Sequence, residues 1–229
     1  MKANRIIIAL VMLMAGMSSC QDWFDVSPKA DVKAEDMFEA ESGFRDILTG
    51  VYGLMIHENL HGRQLTFGYT DVLAQYYAIP DETHEFAQLA KYQYKDVNIS
   101  PKIDEMWLEL YFCIANCNIL LERLEEVGPD FFEDERTYYI LHGEARALRA
   151  FFHFDLLRLF APSYKADPGY TAIPYITKYS NKVSPQKTVS EVIDSVIVDL
   201  KAAVTDLEGR DPIFDPLYQA TTGSDMYMW

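Results

Sequence analysis

Residues 143–160, GEARALRAFFHFDLLRLF, constrain this chain more than any other stretch. Leu141, Ala145, Leu148, Phe152, Leu156 and Leu159 recur at three- and four-residue steps, so they share one face of a helix. Ala147, Ala150, Phe151, Phe154 and Leu157 make a second apolar side. A helix that is apolar on two sides needs neighbours on two sides. The small residues Gly143, Ala145, Ala147 and Ala150 leave room for those neighbours to come close. Between the two sides runs a basic stripe, Arg146, Arg149 and His153. Its spacing predicts pairing across a helix interface with acids such as Glu122, Glu125 and Glu126. A chain built around such an element is a packed helical array.

Three further helices follow from periodicity and caps. From Ala34 the pattern turns helical, and Phe44, Ile47, Leu48, Val51, Tyr52 and Met55 form its stripe, which stops near Gly62. A second helix starts at Ser100-Pro101, with proline at the first helical position, and runs to Gly128-Pro129. The central helix starts near Asp134 and closes at Ala161-Pro162. The last has a capping box, Thr188-Val189-Ser190-Glu191, after which Val192, Val196, Leu200, Ala203 and Leu207 are expected to face the core up to Gly209. Residues 62–100 keep no helical period but are dense in aromatics, and 162–187 form a loop with four prolines. No convincing strand is present. The class is all-α, and no clean repeat of about 34 residues is visible in the letters.

At the amino end, Lys2 and Arg5 precede an uncharged run, residues 6–17, which is too short to span a bilayer and has the layout of a secretory signal. It ends Ser18-Ser19-Cys20, which resembles a bacterial lipobox whose cysteine is acylated; several acyl chains make such an anchor stable. Gln21-Asp22 and Asp25 resemble an acidic tag for the cell surface. The formal charge is −15. Removing residues 1–19 takes away two positive charges and no negative one, giving −17. So acidic a chain excludes nucleic acid and anionic membrane surfaces as partners.

Chemistry is sparse. His57-Glu58-Asn59-Leu60-His61 spells H-E-x-x-H, which on a helix puts two histidines on one face to hold zinc beside a base. Glu82 and Glu85 lie downstream as possible third ligands. Gly62 and Arg63 break the helix just where a zinc helix continues, so zinc hydrolysis stands only as an alternative. The run Asp81-Glu82-Thr83-His84-Glu85 reads as a solvated acidic loop. Cys113 and Cys117, one turn apart, read as small buried apolar residues rather than half of a metal site. Trp107 reads as core. No phosphate loop, nucleophile elbow or triad is present, and no cofactor is implied.

GEARALRAFFHFDLLRLFAPSY followed by AIPYIT closely resembles the core of the SusD/RagB family of nutrient-binding outer-membrane lipoproteins. The resemblance also takes in DVSPKADVKAEDMF, FRDILTGVY, WLELYFCIANCNILLERL and TVSEVIDSVIVDLKAA, in the same order. It implies a tetratricopeptide-like array that captures glycans, or sometimes peptides, without catalysis and closes over a TonB-dependent (SusC-like) transporter. It further implies a signal peptide at 1–19, a tether at 20–33 and a helical domain at 34–229. Because this chain is about half the family's usual length, the resemblance also implies that the domain is truncated at its C-terminal end. Sugar rings offer C–H faces to aromatics and hydroxyls to polar groups. In the aromatic segment 67–94, Tyr69, Tyr76 and Tyr77 are therefore the candidate ligand-binding residues. A helical scaffold that binds only protein is the other alternative.

Overall fold

The periodic segments are helical, the first over a shorter span than its pattern, with two short helices added in the irregular stretch. In chain order the helices are α1 Glu41–Met55, α2 Tyr69–Leu73, α3 Ala87–Ala90, α4 Ser100–Val127, α5 Glu135–Phe160 and α6 Val189–Leu207. The computed structural model describes residues 37–212, and every contact below lies in the unit that begins at Phe38. The signal peptide at 1–19, the tether at 20–33 with Cys20, and the tail beyond residue 212 lie outside the described residues.

Local chemistry sets the helix ends. The Asp134 carboxylate accepts the amide of Arg136 at the start of α5, and Thr188 and Glu191 complete the capping box of α6. Gly128 ends α4 and Gly209 follows α6, both at φ of 72°, a left-handed geometry that suits glycine. α1 starts later than its pattern, because residues 38–40 form a turn before Glu41. That turn lets Phe38, Phe131 and Phe132 close around the fully buried Phe44, with ring centroids 5.0–5.6 Å away.

The long helices pack in the order α1, α4, α5, α6, with α5 against both α4 and α6. Cross-contacts fix their directions. Trp107 meets Phe160 while Asn118 meets Arg149, so α4 and α5 are antiparallel. His142 reaches Asp206 while Arg149 reaches Asp199, so α5 and α6 are antiparallel too. A Cβ on Gly143 would lie 2.7 Å from Leu207 Cγ and 3.1 Å from the Ala203 carbonyl, so this glycine sets the closest approach of α5 to α6.

Three expectations change here. The basic stripe of α5 is buried along with the first apolar side at His153 (0% exposure) and Arg149 (7%), while Phe151 and Phe154 on the second apolar side are exposed. The partners of Arg146 and Arg149 come from α6, as Asp206 and Asp199, and not from Glu122, Glu125 or Glu126. Correspondingly Asp199, and not Leu200, turns inward on α6. Finally, Thr171–Pro174 (β1) and Gln186–Thr188 (β2) pair antiparallel, Thr171 opposite Thr188. This one small ribbon leaves the class all-α.

Candidate functional site

The connection after α5 is anchored by a buried polar network. Arg149 donates two hydrogen bonds to Asp199, at 2.7 and 2.8 Å, and a third to Asn118 Oδ1. Tyr175 donates its hydroxyl to Asp199 at 2.6 Å, and Asn118 donates to the Ile176 carbonyl. His153 donates from Nδ1 to the Arg149 carbonyl and accepts the Ile176 amide at Nε2. Both ring nitrogens are thus committed, which requires the neutral imidazole. Burial, foremost, moves its pKa down to about 4. Burial and then the Asp199 carboxylate push the Tyr175 phenol up. Every group in the network is satisfied by protein, so its work is to hold residues 171–177 against α4, α5 and α6.

That clamp sets one wall of a cavity. Tyr170 precedes β1, and its carbonyl accepts the free amide of Val189 at the start of α6. Across from it stand α2 and α3. Tyr92 takes a left-handed φ of 57°, rare for a bulky residue, and turns the chain back after α3, with its hydroxyl on the Leu73 carbonyl. The turn carries Tyr94 to the cavity. The space has a volume of about 430 Å³ and is half open, within the range of small-ligand sites. Tyr69, Tyr94, Phe160 and Tyr170 are its aromatic lining, and Leu73, Leu89, Ile103, Met106 and Leu159 its aliphatic one. Tyr94 and Tyr170 are about half exposed, whereas Tyr69 is buried and its hydroxyl has no hydrogen-bond partner among the described residues. Burial, foremost, lifts the Tyr69 phenol to about 12, so it stays neutral.

The three tyrosines singled out from sequence do not converge. Tyr69 lines this cavity. Tyr77 lines a separate one of about 320 Å³ with Pro80, His84 and Phe86. Tyr76 is exposed and lines neither. Tyr94, which lies in the same aromatic segment, lines the cavity with Tyr69. Phe160, Tyr170 and Met106 come from other elements, and no local sequence signal links them to it.

The H-E-x-x-H run is not helical. α1 stops at Met55, and residues 56–67 form wide turns in which His61 donates its amide to the Met55 carbonyl and Gly62 to the His57 carbonyl. A Cβ on Gly62 would sit 2.1 Å from the Ile56 oxygen, so only glycine fits. The two imidazoles part company: His57 Nδ1 lies 2.9 Å from Glu109, and His61 Nε2 lies 2.8 Å from the buried Asp155. The shared face that a zinc pair requires is absent, because the helix that would create it has ended. Glu85 pairs with Arg63 and Lys102, and Glu82 with Lys91. Among the described residues no group of three or more His, Cys, Asp or Glu is placed to hold a metal. Cys113 and Cys117 are free and buried, and burial pushes both thiols up to about 12, so they are unreactive. Trp107 packs on Tyr111 and Phe160 at centroid distances of 5.0 and 4.8 Å. Among the described residues no helix is long and apolar enough to cross a membrane.

The comparisons agree with this picture. The SusD-like family described as "Starch-binding associating with outer membrane" matches residues 22–215. Two SusD-like proteins of Formosa agariphila, P25 and P38, are each 24% identical over 211 and 208 residues. Those matches cover 90% and 89% of this chain and 38% of each relative. Among solved structures, a putative sugar binding protein from Bacteroides vulgatus superposes with a TM-score of 0.60 at 25% identity, covering 72% of this chain and 37% of that one. A SusD superfamily protein from Bacteroides thetaiotaomicron gives 0.59 at 20% identity, covering 73% and 37%, and supports the fold alone. The chain therefore spans a little over a third of the length of the curated relatives it matches. Its class, helix order and matched span lead to one conclusion: the chain belongs to the SusD-like family.

Proposed function

We propose that this protein is a lipid-anchored receptor that binds oligosaccharides at the cell surface, without catalysis, for uptake through a TonB-dependent outer-membrane transporter. The observation that carries the reading is the half-open aromatic cavity formed by Tyr69, Tyr94, Phe160 and Tyr170 in a chain of the SusD-like family. Aromatic faces stack on the C–H faces of sugar rings, and tyrosine hydroxyls supply polar contacts at the rim. The family description and the sugar binding protein from Bacteroides vulgatus support a glycan as the ligand class. Cys20 is the proposed site of acylation, and the acidic residues that follow it support export to the surface.

The test is a calorimetric screen of the full chain against neutral plant and algal oligosaccharides. Saturable binding is expected, weakened about tenfold by Tyr94→Ala, which removes one stacking face. A parallel Tyr77→Ala variant reports on the second cavity. Binding that ignores Tyr94 but requires Tyr77 moves the site there. A screen with no binding at all, in a chain shown to be folded by circular dichroism, sinks the glycan reading.

A further inference from the structure

The cavity behind Tyr94 and Tyr170 has more apolar wall than a sugar ring can use. Ile103 and Met106 from α4 face Leu73 and Leu89 from α2 and α3, and no Lys, Arg, Asp or Glu lines the space. A hexose carries hydroxyls around its edge, and each one moved against such a wall loses water without replacement. An aromatic ring has no such cost. An enclosed cavity of about 150 Å³ lined by Leu, Ile and Phe is large enough to take benzene, and this one has about 430 Å³. Tyr69 adds an aromatic wall.

Resting on the glycan-binding reading above, we infer that this cavity is the subsite for an aromatic acyl ester carried on the glycan, with the sugar itself held at the rim by Tyr94 and Tyr170. The half exposure of these two tyrosines suits a ring that remains partly in water. The neutral lining selects for the ester over the free acid, because a carboxylate entering it would shed its hydration with no cation to meet it.

The probe is methyl benzoate, with benzoate as its charged counterpart, followed by ligand-observed NMR on the full chain. Saturable binding of methyl benzoate is expected, and benzoate is expected to bind at least about tenfold more weakly. Met106→Trp fills the cavity from its floor. Because Met106 is buried, Leu73→Trp provides a second filling variant at a half-buried position. Either one is expected to weaken methyl benzoate by about tenfold or more, while Tyr77→Ala leaves it unchanged. Failure of methyl benzoate to saturate, with unsubstituted oligosaccharides still bound, overturns the ester subsite and leaves the glycan reading standing. Methyl benzoate bound with no oligosaccharide bound, esterified or plain, overturns the glycan reading and with it the assignment of the cavity to a glycan's substituent. Methyl benzoate binding that survives Leu73→Trp also overturns the inference, since the ring then sits elsewhere.

Discussion

Asp199 is the residue on which the most buried polarity depends. It accepts two hydrogen bonds from Arg149 and one from Tyr175, and Arg149 in turn reaches Asn118. Replacing it with alanine leaves a guanidinium at 7% exposure and a buried phenol without their acceptor. Removing one partner of such a pair costs about 3–5 kcal/mol, because the other charge stays buried. Asp199→Ala is therefore expected to lower the unfolding free energy obtained from urea melts by that amount, and a change below about 1 kcal/mol would show that the network is not the anchor described here. The same residue shows where sequence reasoning stops. On α6 the inward positions are Val192, Val196, Asp199 and Ala203, and an apolar-only reading puts Leu200 in place of the aspartate. Leu200 is in fact exposed. An inward acid becomes legible only when its cation is known, and Arg149 lies fifty positions away in the chain.

At the scale of elements, helices were legible and their connections were not. α4, α5 and α6 each carry an end signal, Pro101, Asp134 and Thr188, within a residue or two of where they start. The capping box of α6 also holds β2, since Thr188 belongs to that strand and pairs with Thr171. Thr188→Ala is expected to cost about 1 kcal/mol, and to loosen Tyr170 by freeing the ribbon beside it, seen as faster amide exchange at Val189. Exchange unchanged at Val189 would mean that the ribbon stands without its cap. β1 and β2 themselves left no trace in the periodicity, because strands of four and three residues are too short to show an alternation. They are held instead by Tyr111 on the Pro174 carbonyl and Gln186 on the Ala172 carbonyl. The cavity suffers the same way. Its lining comes from α2, α3, α4, the end of α5 and the loop before β1, so a search confined to residues 67–94 finds Tyr69 but cannot pair it with Phe160 or Tyr170.

Across the whole molecule, acidity and buried histidine act together as pH falls. In the folded chain His153 keeps its proton off down to about pH 4, whereas in the unfolded chain it takes one near 6.5. Between these values the unfolded state binds more protons, so stability falls as pH falls, by about 1.4 kcal/mol per unit for this group and on the order of 3 kcal/mol in all. His142 pulls the same way, since burial and then Arg146 lower it. Glu144 opposes them: burial raises it, so its contribution is present at low pH and is lost as pH rises. His153, at 0% exposure, is the steeper element. Meanwhile the net charge of −15 shrinks toward zero near pH 4.6, removing the repulsion that keeps chains apart. The outward face of α6, with Ile197, Leu200 and Val204 exposed, then becomes available for association. Urea melts at pH 7.0, 5.5 and 4.5 are expected to show a falling midpoint, and light scattering a rise near pH 4.6. A His153→Asn variant retains a side-chain oxygen to accept the Ile176 amide but cannot titrate. It is expected to be less stable at pH 7 and to lose most of the slope. A wild-type midpoint that is flat from 7.0 to 4.5 would show that His153 is not held neutral by its buried bonds.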